Sequence, residues 1–303
     1  MLIAGPTASG KSRAALAIAR AFGGIIINAD AMQCYRELRI LTARPSAADE
    51  RQVPHRLYGH RSAAEPWSAG IFAGEAAAEI AAAWQRRALP VITGGTGLYL
   101  RVLETGLAPF PPVPAIVRRR WREALRRDGV GALHARLAPE DRLAIRPSDP
   151  QRVLRALEIQ EVTGEPFSVH HGRQAAAGPL AGAALIRIAI IPDRLTLYDH
   201  VDRRAAAMLD AGALTEVEDL LALGLDPSLP AMRAIGVEAL AAHLSGAGDR
   251  AEALARLQQE SRNLAKRQLT WIRGRMPDFP TVPTAEQAVT LARSALDAMA
   301  SPA

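Results

Sequence analysis

The stretch that most constrains this chain is its first dozen residues, MLIAGPTASGKS. Residues 1–4 form an apolar run that suits a buried strand, and residues 5–12 match the phosphate-binding pattern G-x-x-x-x-G-K-[ST]. The glycines of such a loop let successive backbone N–H groups surround a phosphate, and the following helix adds the positive end of its dipole. Leu16, Ala19 and Phe22 then share one helical stripe. The sequence therefore predicts a strand, a phosphate loop and a helix in direct succession.

Individual side chains of this loop have expected roles. We predict that the whole loop binds phosphate, through Gly5, Pro6, Thr7, Ala8, Ser9, Gly10, Lys11 and Ser12. Lys11 supplies a mobile positive charge for the terminal phosphates, and the Ser12 hydroxyl can ligate Mg²⁺. Only two of the 37 basic residues of the chain are lysine. One of these two, Lys11, lies in the phosphate loop, where a compact ammonium fits better than a planar guanidinium.

Bulk composition narrows the class of protein. The chain has 303 residues, of which 49% are apolar, so it can bury a full core. A net charge of +6 and a pI of about 10.2 favour an anionic partner such as RNA. One cysteine, Cys34, excludes internal disulfides and cysteine-built zinc sites. No apolar run approaches the roughly 20 residues of a membrane span and no signal segment precedes the first strand, so we expect a cytoplasmic protein without a membrane partner.

Further apolar runs predict a parallel sheet. The β-branched residues 25–27 lead into Asp30, which places its carboxylate at the end of a strand, where open α/β sheets bind ligands. Asp30 could equally cap a helix over residues 31–35. A second buried run, residues 89–93, enters the turn Gly94-Gly-Thr-Gly97, on which Thr96 is a candidate contact. We predict an α/β fold, a P-loop NTPase-like parallel sheet flanked by helices, with an inserted mainly helical domain.

A change of composition marks the insertion. The Pro-rich residues 108–114 precede residues 116–127, which carry six arginines in a helical pattern. Residues 151–162 form a second helix with Arg152 and Arg155 on one face. Such a charged face suits either solvent or nucleic acid. The predicted domains are a core over residues 1–109 and 184–303, whose C-terminal part is helical, and a helical insertion over residues 110–183.

The remaining stretches have simpler expectations. Residues 42–68 and 164–179 are predicted loops, in which His55 and His60 are solvated side chains rather than metal ligands. A helix over residues 69–87 should turn Ile71, Ala78 and Ile80 inward, and residues 185–191 resume the sheet. Helices are also expected over residues 195–209, 214–223, 235–244, 251–275 and 285–299.

Six motifs occur in a diagnostic order. They are GPTASGKS at 5–12, NADAMQCYR at 28–36, GGTGLYLR at 94–101, SDPQRVLRALE at 148–158, PAMRAIG at 230–236 and LAKRQLTWIR at 264–273. This set resembles the isopentenyl-tRNA transferase family, the tRNA dimethylallyltransferases, over nearly the whole chain. The phosphate loop alone is shared by many unrelated enzymes, whereas its combination with DPQR and KRQLTW is specific.

The resemblance implies transfer of a dimethylallyl group from dimethylallyl diphosphate to N6 of the adenosine 3′-adjacent to the anticodon (position 37) of tRNA, with release of diphosphate. The implied partners are dimethylallyl diphosphate and the tRNA anticodon stem-loop, with Mg²⁺ as cofactor, and we expect a monomer. Asp30 matches the general base of the family. Thr7 matches the loop threonine at the leaving oxygen, and Arg204 matches the arginine that clamps the diphosphate.

The resemblance also implies a tRNA-binding surface. The matching positions are Asp30, Ala31, Met32, Gln33, Thr96, Arg118, Gln151, Arg152, Val153, Leu154, Arg155 and Arg233. The target base must leave its stack to reach a buried site, so a channel between core and insertion is expected. The chain departs from the family in having Ala31 where a serine is usual, Val237 where an aromatic residue is usual and His200 where an arginine is common.

Two other functions fit part of the pattern. A small-molecule kinase of the shikimate-kinase kind also pairs a phosphate loop with a strand-ending aspartate, but it has no use for a basic helical insertion. An RNA-binding module gated by a nucleotide would perform no covalent chemistry on RNA. A prenyl synthase is disfavoured because the chain lacks a DDxxD-like acidic pair.

Overall fold

The computed structural model describes residues 1–172 and 176–300, and within them six strands form one parallel sheet. The strands are β1 (Leu2–Ala4), β2 (Gly24–Asn28), β3 (His55–Arg56), β4 (Leu89–Gly94), β5 (Arg187–Ile190) and β6 (Thr281–Val282). Their spatial order is β3-β2-β4-β1-β5-β6, with β1 in the interior, paired to β4 and β5. This architecture confirms the predicted P-loop NTPase-like α/β fold.

Helices connect and cover the strands. In the described residues they are α1 (Lys11–Ala21), α2 (Ala47–Gln52), α3 (Ala69–Gln85), α4 (Gly97–Thr105), α5 (Ala115–His134), α6 (Pro139–Ala144), α7 (Pro150–Thr163), α8 (Phe167–His171), α9 (Arg194–Asp210), α10 (Ala213–Ala222), α11 (Val237–Leu244), α12 (Arg250–Arg275) and α13 (Ala285–Ala300), with a 3-10 turn at Ala231–Arg233. None of these helices has both the length and the apolarity that crossing a membrane requires.

The sheet is buried on both faces because its strands are apolar at consecutive positions. Leu2 and Ile27 point into a cluster completed by α3 and α4, whereas their neighbours Ile3 and Ile26 point into a cluster completed by α1 and α13. Successive side chains of a strand alternate between faces, so a continuous apolar run supplies both clusters. All strands are parallel, and the loops after β1, β2 and β4 therefore open on the same edge of the sheet.

The chain divides into two compact units. Unit 1 is Met1–Glu104 with Pro179–Ala303 and contains the sheet, and unit 2 is Thr105–Gly178. Unit 2 therefore begins and ends five residues before the predicted insertion over residues 110–183. The backbone explains the C-terminal limit, because Leu180 donates its N–H to the carbonyl of Leu103 and so belongs with the sheet.

Unit 2 is helical and has its own small core. Helices α5 and α7 pack together around Leu133, Val153 and Leu157. Helix α5 is interrupted at Gly129, whose φ of 76° suits glycine. The buried carboxylate of Asp141 accepts hydrogen bonds from the first N–H groups of α8, which stabilises that short helix.

Several local predictions were wrong. The helix over residues 31–35 that Asp30 could have capped does not form; these residues turn instead, and the Asp30 carboxylate accepts from the N–H of Met32 within the turn. The predicted loops contain α2, β3 and α8, which are too short to show periodicity in the sequence. In α3, Ile80 is buried as predicted, whereas Ala78 is exposed.

Candidate active site

The phosphate loop lies between β1 and α1, as the sequence predicts. Ala8 and Gly10 have φ angles of 62° and 88°, and these left-handed residues turn the chain back toward the start of α1. Gly5 is required for close packing, because a Cβ there would lie 2.5 Å from the hydroxyl oxygen of Ser9 and 2.9 Å from the carbonyl oxygen of Ile190. The loop is therefore held in a compact, preformed shape.

Lys11 begins α1 and folds its ammonium back over the loop. Its Nζ donates to the carbonyl oxygen of Pro6 at 3.1 Å. Desolvation by the surrounding protein lowers the pKa of Lys11 to about 8, while Asp30 raises this pKa and Arg204 lowers it further. An ammonium that has lost much of its water gains more from an incoming anion than one already in solvent.

Arg204 reaches the same loop from α9. Its guanidinium donates to the hydroxyl of Thr7. Burial lowers the pKa of Arg204, and the negative charge of Asp30 opposes that shift. Lys11, Arg204 and the N-terminus of α1 thus concentrate positive potential at the loop, with the carboxylate of Asp30 close enough to influence both cations.

Asp30 follows β2 on this edge of the sheet and is held by its neighbours. Its backbone N–H donates to Oδ1 of Asn28 at 2.8 Å, and its own Oδ1 accepts from the N–H of Met32 at 3.0 Å. Asn28 is buried and also donates to the carbonyl of Asp30. The carboxylate is partly exposed and fixed in direction, which is what a proton acceptor needs.

The turn after β4 packs tightly against the segment that carries Asp30. A Cβ on Gly94 would lie 2.1 Å from the backbone carbonyl carbon of Ala29, so only glycine fits there. Thr96 donates its N–H to the carbonyl of Ala29, and its hydroxyl accepts from the N–H of Ala31 at 3.0 Å. Thr96 therefore fixes the chain on both sides of Asp30.

A cavity of about 440 Å³ opens at the loop and contains its cations. Its lining residues are Ala8, Ser9, Gly10, Lys11, Ser12, Ala43, His200, Arg203 and Arg204. The wall at Ala43 is fixed from α10, because the carboxylate of Glu216 accepts from the N–H groups of residues 39–41 at 2.7, 2.6 and 2.9 Å. A cavity of this size, with several cations and one hydroxyl at a helix N-terminus, suits a small polyanion.

The donors present fit a magnesium ion that is shared with phosphate oxygens. Among the described residues, no three His, Cys, Asp or Glu side chains are grouped to hold a metal ion by themselves. Ser12 is exposed in the first turn of α1 and lines the cavity. Mg²⁺ keeps several waters and commonly takes only one or two protein ligands beside substrate phosphates, so one hydroxyl in a cationic cradle is compatible with it.

Comparison with known proteins identifies the family. The family model for IPP transferase matches residues 33–275. The chain is 50% identical over 276 residues to a tRNA dimethylallyltransferase of Methylobacterium nodulans, covering 90% of this chain and 91% of the relative. It is 52% identical over 279 residues to that of Methylobacterium radiotolerans, covering 91% and 90%. The chain belongs to the IPP transferase family.

Solved structures agree with this assignment to the IPP transferases. The crystal structure of a tRNA isopentenylpyrophosphate transferase from Bacillus halodurans matches with a TM-score of 0.69 at 30% identity, covering 98% of this chain and 95% of that one. The resemblance stated from the six sequence motifs is thereby confirmed.

Unit 1 brings most of the predicted site residues to one edge of its sheet. Thr7, Lys11, Asp30, Thr96 and Arg204 all lie on loops or helices that meet at the ends of β1, β2 and β4. Their roles in this IPP transferase stay predictions.

Four other predicted residues of unit 1 have different settings. Ala31 and Met32 are half-buried in the turn after Asp30. The Gln33 side chain donates to the carbonyls of Thr42 and Ala43 at 2.8 and 3.1 Å, so it fixes the cavity wall. Arg233 is exposed in the 3-10 turn.

Unit 2 holds the other predicted tRNA contacts, with unequal exposure. Arg118 on α5 and both Gln151 and Arg152 at the start of α7 are exposed. Leu154 is half-buried, and the guanidinium of Arg155 lies 5.3 Å from the ring centre of Phe110. Val153 is fully buried in the core of unit 2, so its side chain offers no surface to tRNA. The sequence motif at 148–158 did not indicate that Val153 is buried.

Sequence reasoning missed Gln268 and the wall of the cavity. Gln268 lies within the KRQLTW motif, and its side chain bonds to both the phosphate loop and the turn after β4. His200 and Arg203 line the cavity beside Arg204, and their position in the DHVDRR segment was the available signal. Nothing in the sequence indicated that Ala43 lines the cavity, because its position depends on a loop that the distant Glu216 holds.

Proposed function

We propose that this IPP transferase moves a dimethylallyl group from dimethylallyl diphosphate to N6 of the adenosine 3′-adjacent to the anticodon (position 37) in tRNA and releases diphosphate. The observation that carries the proposal is the pairing of a cationic phosphate cradle with the fixed carboxylate of Asp30 on one edge of the sheet. Relatives of about 50% identity are named tRNA dimethylallyltransferases, which supports the same reaction.

The cations of the loop stabilise the leaving group. When the bond between C1 of the allyl group and the diphosphate oxygen breaks, its electron pair stays on that oxygen, and negative charge grows there. Lys11 and Arg204 face that charge from two elements, and the Thr7 hydroxyl is already oriented by Arg204. Mg²⁺, when held by Ser12, would neutralise further diphosphate charge.

Asp30 acts on the acceptor. The exocyclic amine of adenine is a weak nucleophile, because its lone pair is delocalised into the ring. As N6 bonds to C1, it loses one proton, and the partly exposed carboxylate of Asp30 is the acceptor on this edge of the sheet. The products are N6-dimethylallyl adenosine, diphosphate and one proton, so atoms and charge balance.

Basic side chains on unit 2 support the tRNA assignment. Six arginines lie on α5, and Arg118 and Arg152 are both exposed. Arginine suits phosphate because its planar fork donates two hydrogen bonds to one anion. We propose that these residues bind the backbone of the anticodon stem-loop while the target base enters the site of unit 1.

One assay tests this function directly. The protein is mixed with unmodified tRNA, Mg²⁺ and dimethylallyl diphosphate, and the tRNA is digested and weighed by mass spectrometry. The expected result is one added dimethylallyl group on an adenosine next to the anticodon. A matched reaction with ATP and shikimate tests the kinase alternative. Phosphorylation of shikimate without any change in tRNA mass would contradict the proposal.

The monomeric state belongs to the same proposal. Within a single copy, Arg204 bonds to Thr7 and lines the cavity together with Lys11, which supports a site formed by one chain. Light scattering during size-exclusion chromatography should give the mass of one chain, 32.4 kDa. A stable mass of twice that value would contradict it.

A further inference from the structure

Gln268 connects two parts of the site. It lies on α12, is 8% exposed, and its side-chain oxygen accepts from the N–H of Thr7 at 2.7 Å. Its side-chain nitrogen donates to the carbonyl oxygen of Gly95 at 3.0 Å. One buried amide therefore bonds to the phosphate loop after β1 and to the turn after β4.

The orientation of this amide is fixed by its partners. A backbone N–H can only donate and a backbone carbonyl can only accept, so the oxygen must face Thr7 and the nitrogen must face Gly95. A carboxylate of the same length would satisfy Thr7 but would oppose the carbonyl of Gly95 with a second acceptor. An apolar side chain would leave both backbone groups without this partner.

The link reaches the catalytic carboxylate. A Cβ added at Gly95 would lie 2.1 Å from the side-chain nitrogen of Gln268 and 3.2 Å from Oδ2 of Asp30, so both side chains approach the same backbone carbon. Thr7 is held from two sides, because its hydroxyl also receives a hydrogen bond from Arg204. Gln268 is thus placed to set the distance between the phosphate loop and Asp30.

We infer that Gln268 is a positioning residue for the prenyl transfer, which locks the phosphate loop to the turn beside Asp30 through both ends of its amide. The inference rests on the proposed function, since it concerns alignment of a diphosphate leaving group with the proton acceptor. A displacement of about 1 Å between reacting groups can cost about a hundredfold in rate, so one amide at this junction has a large effect on turnover.

The test uses Gln268→Glu, which keeps the length of the side chain and makes the second hydrogen bond depend on pH. When protonated, the glutamic acid donates its O–H to Gly95 and accepts from Thr7, as glutamine does. When ionised, it repels the carbonyl. Burial and the nearby charge of Asp30 raise the pKa of such a carboxyl, while the cations Lys11 and Arg204 lower it. Burial dominates at a position that is 8% exposed, so the titration moves toward neutral pH.

We therefore expect the ratio of wild-type to Gln268→Glu kcat/KM to grow by at least about tenfold from about pH 6 to about pH 8. Asp30, Lys11 and Arg204 are the titratable groups that face this junction, from the turn after β2, the start of α1 and α9. All three are present in both proteins, so the ratio cancels most of their own titration.

Two further measurements separate positioning from folding. Gln268→Leu should lower kcat for prenyl transfer by about a hundredfold while the Kd for tRNA stays within about twofold. The matched controls are Gln259→Glu and Gln259→Leu, which alter an exposed glutamine of the same helix and should keep wild-type kinetics at every pH. Circular dichroism melts accompany each variant.

The outcomes are distinct. A Gln268→Glu variant with wild-type kcat/KM at both pH values overturns the positioning role. Gln268→Leu with wild-type kcat does the same. A wild-type protein that adds no prenyl group to tRNA overturns the proposed function itself, whereas an active wild type beside a fully active Gln268→Glu or Gln268→Leu variant overturns only the inference about Gln268.

Discussion

Arg204 donates a hydrogen bond to the hydroxyl of Thr7, a residue 197 positions earlier in the chain. The contact joins α9 to the phosphate loop and orients a guanidinium at the mouth of the cavity. Burial lowers the pKa of Arg204, but arginine stays protonated in proteins, so its charge is available to an anion. The hydrogen bond to Thr7 therefore distinguishes Arg204 from Arg203, which also lines the cavity.

Arg204→Ala should lower kcat/KM for dimethylallyl diphosphate by about 10²–10³-fold, the usual cost of one lost donor to a developing negative charge. Arg204→Lys should recover only part of this loss, because a point charge replaces a planar fork. Steady-state kinetics with saturating tRNA measure both effects. Arg194→Ala, an exposed change on the same helix, should leave them unchanged. Equal kinetics for Ala and wild type at position 204 would remove the clamp assignment.

Asp30→Asn should lower turnover by about 10²–10⁴-fold, the usual contribution of a general base. The fold should tolerate the change, because an asparagine oxygen can still accept from the N–H of Met32. We therefore expect the Kd for tRNA, measured by filter binding, to stay within about threefold. Turnover equal to that of the wild type would exclude Asp30 as the base.

The lowered pKa of Lys11 predicts that activity decreases at alkaline pH. Desolvation lowers its pKa to about 8, so the ammonium of the free enzyme is charged below pH 8 and neutral above it. The value of kcat/KM for dimethylallyl diphosphate should therefore decrease as pH rises through about 8. Bound diphosphate favours the charged form, so kcat should decrease only at higher pH. Lys11→Ala should lower kcat/KM and flatten its decrease, and an unaltered profile would contradict this role.

The sequence predicted those parts of the site that depend on local pattern. A phosphate loop needs only neighbouring residues, and Asp30 follows a buried strand, so both positions could be read from short segments. The alternative of a helix cap at Asp30 was also open, and the structure decides against it because residues 31–35 form turns and no helix. The sheet followed from the same logic, since its central strands are continuous apolar runs.

The parts that sequence could not predict are contacts between distant residues. Gln268 bonds to groups 261 and 173 positions away, and nothing in its own helix indicates either partner. Val153 and Arg152 lie in the same helical motif, but the burial of Val153 depends on how α5 packs against α7. Short elements such as α8 and β6 were missed because five and two residues carry no periodic signal.

Gly94→Ala should destabilise the protein by about 1–3 kcal/mol or more, because the added methyl group would overlap the backbone of Ala29 and the backbone cannot move aside. Gly74→Ala is the matched control. Gly74 lies within α3 with open space around it, so alanine there should stabilise by about 0.5–1 kcal/mol. Urea denaturation measures both values. A neutral effect at position 94 would show that the turn beside Asp30 is less tightly packed than described.

Salt dependence should separate the roles of the two arginines of α7. The side chain of Arg152 is 62% exposed beside Asp149, whereas Arg155 lies against Phe110 and 3.5 Å from Glu158. Arg152 can therefore turn to a phosphate at little cost. Arg155 must first give up contacts within unit 2.

We expect Arg152→Ala to weaken tRNA binding and to make the plot of log Kd against log salt shallower by about 1. Arg155→Ala should change this slope less and lower the melting temperature more, because it removes packing on an aromatic ring. Filter binding between about 50 and 200 mM salt measures the slopes. Arg20→Ala, an exposed change on α1, is the control for net charge. Identical slopes for wild type and Arg152→Ala would show that Arg152 faces only solvent, and the tRNA surface of unit 2 would then have to depend on α5.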